Sequence, residues 1–569
     1  MPQHVVIIGA VALGPKAACR FKRLEPESKV TMIDQTDLIS YGGCGIPYYI
    51  GGDISDPGQL QATSFNMLRD EKFFREAKDI RVMTKTRALS IDRNSHRIHT
   101  LDLSSGTENS LSYDQLVLAT GASPKRLFVP GFDLNGVFRL SNMNEAITVK
   151  ETISRGEVGK AVIIGAGAIG LEMAEAMTDL WGIETIVIEI KEQILPGILS
   201  PNLAHTVQRH MEDRGVSFHF GENVIRIEGE ERVEKVITDR REIQADMVLA
   251  CVGVEPDSRL AFSSGLDVSR SGAVKVNKKL QTSDPHIYAG GDCVEIMNLV
   301  TGKPGYFPLG SLANRQGRVI GTNLAGGEAE FDGAVGSFVV RLFDLSVASA
   351  GLCIESAFRE GFDAISALIV QFDRAHFFPD KDLMFLELVA ERGTKRVLGI
   401  QGIGNKGEGM VGRIDAVAAM LKHGPKTEDI SNLEIAYSPP FSAAMDILNA
   451  LGNTAENILE GKNRVVNADE FAELWRNRDK EDNSFFLDCR GRGNAEPFIQ
   501  KYPLHWISIP QDELRARIGE VPRDKKILLI CNTGVRSYEA QVMLDHIGIS
   551  NSYNVQGGMA ALKKWGLDI

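Results

Sequence analysis

The 569-residue sequence has no cysteine framework: its seven cysteines are an odd number, scattered, and none sits in a CxxC pair. That excludes a disulfide-stapled scaffold and leaves individual thiols free to react. There is no uncharged apolar run of membrane-spanning length. There is no basic excess either. Lys and Arg total 63 against 75 Asp and Glu, net −12, which argues against general affinity for nucleic acid or anionic membrane. The 56 glycines show no period, which excludes a collagen-like chain. With 43% hydrophobic and 24% charged residues the composition is that of a globular protein, not a disordered one. The start, MPQHVVIIG, lacks the cationic segment and cleavage site of a secretory signal, so a cytoplasmic location is expected. His4, His205 and the other histidines fall at no metal-ligand spacing, and no metal site is expected. At about 150 residues per domain, the length allows three to four domains.

What the chain does contain is an internal echo. Residues 5–8 (VVII) lead into Gly9-Ala10-Val11-Ala12-Leu13-Gly14, and residues 161–164 (AVII) lead into Gly165-Ala-Gly167-Ala-Ile169-Gly170. A helical pattern follows each, then a second apolar strand ending in an acid, Asp34 in one case and Glu189 in the other. This is the βαβ dinucleotide fingerprint, twice. The glycines let the backbone approach a pyrophosphate, the helix N-terminus meets its charge, and the acid holds ribose hydroxyls. The second copy is complete; in the first, Val11 replaces the middle glycine. Two later segments match the first copy. Tyr113–Ala122 is a strand ending in a small-residue turn, and Thr282–Asp292 is a strand delivering an acid.

On these motifs residues 1–450 resemble the pyridine nucleotide–disulfide oxidoreductases, which bind two dinucleotides. The resemblance implies an α/β fold with two Rossmann-like domains, for FAD and NAD, and an α+β dimerisation domain. FAD would be held by Gly9, Ala10, Val11, Gly14, Asp34, Val82, the turn Ala119-Thr120-Gly121, Asp292 and Ala313. The nicotinamide cofactor would be held by Gly165, Gly167, Ile169, Gly170, Glu189 and Gly253. Glu189 favours NADH, because an acid repels the 2′-phosphate of NADPH; Lys191 softens this. The expected FAD domain covers 1–150 and 281–330, with the NAD domain at 151–280 inserted between. Residues 308–326 read as a helix whose N-terminus faces the flavin, where it would stabilise the reduced ring. Residues 331–450 form the expected dimerisation domain, and 451–463 read as a linker.

A first reactive thiol lies in Tyr41-Gly-Gly43-Cys44-Gly-Ile-Pro47. Pro47 and the apolar residues after it suit a first helical turn. Cys44 at that helix N-terminus is expected to have a lowered pKa. Only one cysteine is present here, so its sulfur partner must come from outside the chain. The resemblance narrows to the single-cysteine branch: coenzyme A disulfide reductases, persulfide reductases, and NADH oxidases and peroxidases. Peroxidase members carry a histidine where this sequence has Ala12. Lys16, Arg20 and Arg23 share one helix face, suited to the phosphates of coenzyme A. By the resemblance, coenzyme A would be bound by Lys16, Ala17, Arg20, Arg23, Ser40, Gly43, Cys44, Tyr437, and Arg69 and Lys72 of the next helix. Gly43 replaces a usual asparagine. Of two tyrosines presented by the partner subunit, Tyr437 is kept and the other is Phe377. Cys19, Cys251, Cys293, Cys353 and Cys489 have no motif around them and read as buried small hydrophobes.

Residues 464–569 carry Leu-Asp488-Cys-Arg490 on one strand and Cys531-Asn-Thr-Gly-Val-Arg536-Ser537 after another. This unit resembles the rhodanese sulfurtransferases. There the loop's amides surround the cysteine at a helix N-terminus and stabilise a thiolate or persulfide. Arg536 adds positive charge, while Asp488 and Arg490 brace the fold. The whole implies an NADH-dependent homodimeric reductase of persulfides or polysulfides, holding FAD and coenzyme A. Cys44 is its redox thiol, Cys531 its sulfur carrier, and Tyr437 and Arg536 assist. Alternatives are a coenzyme A disulfide reductase, a sulfurtransferase supported by its reductase half, and a non-catalytic redox sensor.

Overall fold

A computed structural model describes residues 2–480 and 483–569. The α/β chain divides into two compact units, one of residues up to Glu192 with Gly215–Ala334, the other of Gln193–Arg214 with Val335–Ile569.

In the first unit the echo extends to whole subdomains. One five-stranded parallel sheet runs in the order Ile287–Ala289, Gln115–Leu118, His4–Ile8, Lys29–Ile33, Arg81–Met83. The other runs Val137–Phe138, Met247–Ala250, Lys160–Ile164, Glu184–Glu189, Val216–Phe220, also parallel. Their central strands are mostly apolar because both faces are covered. Val5, Val6, Ile7, Leu116 and Val117 in the first sheet, and Ala161, Val162 and Ile163 in the second, are fully buried. A three-stranded antiparallel sheet interrupts each at the same point, Thr86–Ser112 in one and Val224–Gln244 in the other.

The second unit contains an antiparallel sheet in the order Phe338–Leu342, Leu345–Gly351, Val397–Gly404, Leu383–Glu391, Ala364–Phe372. It also holds a five-stranded parallel sheet, Val465–Val466, Ser552–Val555, Lys526–Ile530, Ser484–Asp488, Trp506–Ser508. Separate apolar clusters lie on the two faces of that parallel sheet, one around Phe471, Trp475 and Trp506, the other around Leu487, Leu529 and Leu544.

Three expected boundaries differ. Val137–Phe138, expected in the first FAD segment, is the edge strand of the second sheet. The helix Pro201–Glu212, expected in the NAD domain, belongs to the second unit, where the Ser200 hydroxyl donates to Glu387 at 2.7 Å. The expected linker 451–463 starts inside a helix, Ile447–Leu459. Its Ile447, Leu448, Leu451 and Ala455 are buried, and the Asp446 carboxylate caps it by accepting from the Leu448 amide at 3.0 Å. The tail is therefore packed, not tethered. The Leu368 amide donates to the Gln556 side chain at 2.7 Å, and the His205 and Trp565 rings lie 4.2 Å apart.

Candidate functional site

The two Gly-rich turns are built alike. Gly9 and Gly165 hold φ of 108° and 106°. A side chain on Gly9 would meet the Ala119 carbonyl at 2.0 Å, and one on Gly165 the Cys251 carbonyl at 2.4 Å. Gly14 and Gly170 pack on the preceding turn, where an added Cβ would lie 1.9 and 2.1 Å from the carbonyls of Gly9 and Gly165. Both acids tie the second strand back to the turn. Asp34 accepts from the Ala10 amide at 2.8 Å, and Glu189 from the Ala166 and Lys191 amides, each at 2.8 Å. The middle positions differ from the rest. A side chain on Gly167 would meet nothing within 4 Å, which leaves open space for a ligand, and the same openness accommodates Val11 in the first copy. Ala10 is fully buried and Gly14, Gly165 and Gly170 are buried, so these four shape the turns.

The remaining residues of the first site converge on one sheet end. The Ala119 amide donates to Ile8 and the Thr120 hydroxyl to the Asp257 carbonyl at 2.5 Å, while in the second copy the Gly253 carbonyl accepts from Lys125. Val82 lies in the strand next to Met32. Gly291 donates to the buried Gln316 side chain at 2.6 Å, and Ala313 packs beside it. Asp292 follows. Burial pushes its carboxyl up to about 6, and it accepts no side-chain hydrogen bond among the described residues. Beside it the buried Tyr306 hydroxyl has no partner. An unpaired acid next to an unpaired hydroxyl fits a ligand rich in hydroxyl groups, such as the ribityl chain of FAD.

Cys44 sits in a 3₁₀ turn, Gly43–Gly45, that leads into the short helix Ile46–Ile50 with Pro47 in its first turn. The helix Gly310–Asn323 begins against the sulfur: a side chain on Gly310 would start 3.6 Å from Cys44 Sγ. The expected direction of the thiol pKa is overturned. Although Cys44 is exposed as a residue, desolvation pushes its thiol up, and the carboxylates of Glu172 and Asp292 push it the same way. Glu172 has no motif that marks it in the sequence. It lies on the helix Ala168–Asp179, two residues past the last fingerprint glycine, and accepts from the Tyr48 hydroxyl at 3.4 Å. Burial raises its carboxyl to about 7.

The basic face lies on the helix Leu13–Leu24, with Lys16 and Arg23 exposed and Arg20 donating through Nε to Thr322 at 3.0 Å. This helix packs closely on Gly310–Asn323, because Gly317 and Gly321 leave room for Lys16 and Arg20. Exposed Arg318, beside Gly317, adds a cation that the sequence pattern does not single out. Ala17 is fully buried beneath Gly321, and Ser40 is buried with its amide donating to Ala10 at 2.7 Å. Lys72 lies in the helix Glu71–Lys78, but Arg69 precedes it, since Asp70 is the N-cap. Arg69 donates instead to the Gln61 carbonyl at 2.8 Å, bracing the loop whose Leu60 carbonyl accepts from Gly42 at 3.0 Å.

In the second unit the Cys531 sulfur is buried and accepts from the Gly534 amide at 3.1 Å and the Ser537 hydroxyl at 3.2 Å. It lies at the start of the helix Val535–His546, with Gly534 at φ 102° making the turn. Arg536 is half-buried in the same turn. Asp488 and Arg490 form a buried pair at 2.7 Å, and Trp506 donates to the same carboxylate at 2.9 Å, a bracing arrangement. Tyr437 and Phe377 are 50% and 66% exposed and share the unit with exposed Phe441 and Met445.

Residues 3–306 match the family model of pyridine nucleotide-disulphide oxidoreductases, 338–448 that family's dimerisation domain, and 470–564 the rhodanese-like domain. The chain is 34% identical over 451 residues to an NAD(P)H coenzyme A polysulfide/persulfide reductase of Pyrococcus horikoshii, covering 79% of this chain and 98% of the relative. It is similar to the structure of an NAD-dependent persulfide reductase from A. fulgidus, with TM-score 0.91 and 36% identity over 98% and 99% of the two chains. It is also similar to the reduced CoADR-RHD of Bacillus anthracis, with TM-score 0.90 and 30% identity over 99% and 98%. No helix among the described residues is long and apolar enough to cross a membrane.

Proposed function

The chain belongs to the pyridine nucleotide-disulphide oxidoreductase family, and on that premise we propose that it reduces persulfides or polysulfides with NADH, using FAD, coenzyme A and a fused sulfur-carrying rhodanese domain. The observation that carries this reading is the solitude of Cys44. All seven cysteines are free, and the Cys44 sulfur faces a helix start at Gly310 instead of a second thiol. A redox thiol without a resolving partner draws its partner sulfur from a bound small molecule.

FAD, when bound, supplies two electrons drawn from NADH to cleave a sulfur–sulfur bond. Gly9, Val11, Asp34, Val82, the 119–121 turn, Asp292 and Tyr306 would hold it. Gly167, Ile169, Glu189 and Gly253 would hold the nicotinamide cofactor. The exposed cations Lys16, Arg23, Lys72 and Arg318, with Arg20, would hold coenzyme A phosphates by charge-assisted hydrogen bonds. Cys44 accepts the sulfur partner as a mixed disulfide. Glu172, ionising near neutrality and acting electrostatically on Cys44, is the group we assign to hold or release the proton of the departing thiol. Cys531 accepts sulfane sulfur, whose charge the Gly534 amide and Ser537 hydroxyl would stabilise. The exposed side chains Phe377, Tyr437, Phe441 and Met445 in the matched dimerisation domain support a homodimer.

The test is steady-state NADH oxidation with coenzyme A persulfide, polysulfide, coenzyme A disulfide, oxygen and peroxide side by side. Persulfide or polysulfide should give the highest kcat/KM. A tenfold preference for coenzyme A disulfide, in which Phe377 supplies no hydroxyl, would make the chain a coenzyme A disulfide reductase. Oxygen or peroxide as the best acceptor would overturn the sulfur reading.

A further inference from the structure

Cys489 has no part in the function proposed above, yet the sheet sets it beside Cys531. The strands Ser484–Asp488 and Lys526–Ile530 pair in parallel with Leu487 opposite Leu529 and Asp488 opposite Ile530. The Cys489 amide continues the ladder by donating to the Ile530 carbonyl at 2.8 Å, so the next neighbours across the strands are Cys489 and Cys531. Neighbouring strands lie about 4.8 Å apart, within the roughly 4.4–6.8 Å that a disulfide spans between Cα atoms.

The side chains also share a face. Alternation along a strand puts Cys489 with Leu487 and Cys531 with Leu529. Leu487, Leu529 and Cys489 belong to one apolar cluster with Ala540 and Leu544 of the helix Val535–His546. Ser537 of that same helix donates to Cys531 Sγ. Asp488, between them, points to the opposite face, where Trp506 donates to it. Both thiols are 1% exposed.

We propose that Cys489 and Cys531 form a dithiol centre in which Cys489 resolves the Cys531 persulfide without electrons from the flavin half. Cys489 Sγ attacks Cys531 Sγ. The bond from Cys531 Sγ to the outer sulfur breaks, and a Cys489–Cys531 disulfide forms. The outer sulfur leaves with the electron pair as hydrosulfide and takes up the Cys489 proton. The two cysteine sulfurs are oxidised together by two electrons, and the sulfane sulfur is reduced by two. Two equivalents of a small-molecule thiol return the disulfide to the dithiol. Burial and the neighbouring Cys531 push the Cys489 thiol up, so its proton leaves only as Cys489 Sγ attacks, passing to the departing hydrosulfide in the same step. The proposal rests on the reading of Cys531 as a persulfide carrier, and the experiment separates the two.

Full-length protein, free of NADH and thiols, is treated with thiosulfate and compared with C489A and C489V. Thiosulfate transfers its outer sulfur to Cys531 and leaves sulfite. The unsubstituted protein should release close to one sulfide per chain, and peptide mass mapping should find residues 489 and 531 linked. Both variants should keep the Cys531 persulfide, cut sulfide release at least tenfold, and retain thiosulfate-to-cyanide transfer, which reports an intact tail. Equal persulfide retention in all three proteins, with no linked peptide, overturns the dithiol centre and leaves the carrier reading standing. Absence of sulfur on Cys531 in all three overturns the carrier reading and the dithiol centre with it.

Discussion

Replacing Glu172 by glutamine should make Cys44 a stronger acid. The Glu172 carboxyl, raised to about 7 by burial, gains its charge across the neutral range. That charge is the second cause, after desolvation, of the upward push on the Cys44 thiol. A like charge within range of a partly solvated thiol disfavours the thiolate. The E172Q substitution removes the charge and keeps the shape. The Cys44 pKa should fall, and its alkylation at a fixed pH below that pKa should speed up. The assay is the rate of iodoacetamide capture at Cys44 between pH 6 and 10, read by peptide mass on protein stripped of small thiols. A companion change fixes the sign. The Tyr48 hydroxyl holds the Glu172 carboxyl down, so Tyr48→Phe should raise the Glu172 pKa and delay its effect on Cys44 to higher pH. Unchanged or slower capture in E172Q would refute the placement of this carboxylate as a control on the thiol.

Gly170→Ala puts a methyl group 2.1 Å from the Gly165 carbonyl; it should abolish NADH reduction of the flavin while the yellow colour remains, as stopped-flow absorbance would read. Glu387, buried and raised to about 7, stays neutral in the fold while the unfolded chain ionises near 4.5. Its penalty is therefore absent below about pH 3.5, grows as pH rises and is complete above about 7. E387Q should raise the Tm at pH 8, by an amount equivalent to at most about 3 kcal/mol, and leave it unchanged at about pH 3.5; an equal gain at both would deny the titration. Arg20→Ala with Arg23→Ala should lower coenzyme A retention by up to about a hundredfold, since each charge-assisted bond contributes about 1.5 kcal/mol or less when exposed; equal release on denaturation would mean that the basic face is only solvated.

The parts of this molecule legible in the sequence are those whose chemistry is local. A buried strand, a Gly-rich turn and an acid some 25 residues on carry their own period, so the residue pattern alone places both dinucleotide turns and marks Asp34 and Glu189 as the acids that close them. The Cys531 loop is equally local. What escapes the pattern depends on distant partners. The helix after Cys44 predicts an acidified thiol, but desolvation by the surrounding fold, then Glu172 and Asp292 from segments far along the chain, push the other way. The helix Ile447–Leu459 hides behind Gly452, Asn453 and Asn457, which read as loop residues, while its apolar side faces the core. Arg69 reads as helical, yet the Asp70 cap starts that helix after it. The neighbourhood of Cys489 and Cys531 is set by strand register, which no local motif encodes.

The most direct test of the central claim is a two-step flavin experiment on Cys44→Ser. The enzyme is first reduced with one equivalent of NADH without oxygen, then mixed with coenzyme A persulfide or polysulfide while flavin absorbance is followed. The account predicts that NADH bleaches the variant as it does the unsubstituted protein, and that the sulfur substrate then restores colour only when Cys44 is present. Reoxidation of the Cys44→Ser flavin by the sulfur substrate at the unsubstituted rate would contradict it.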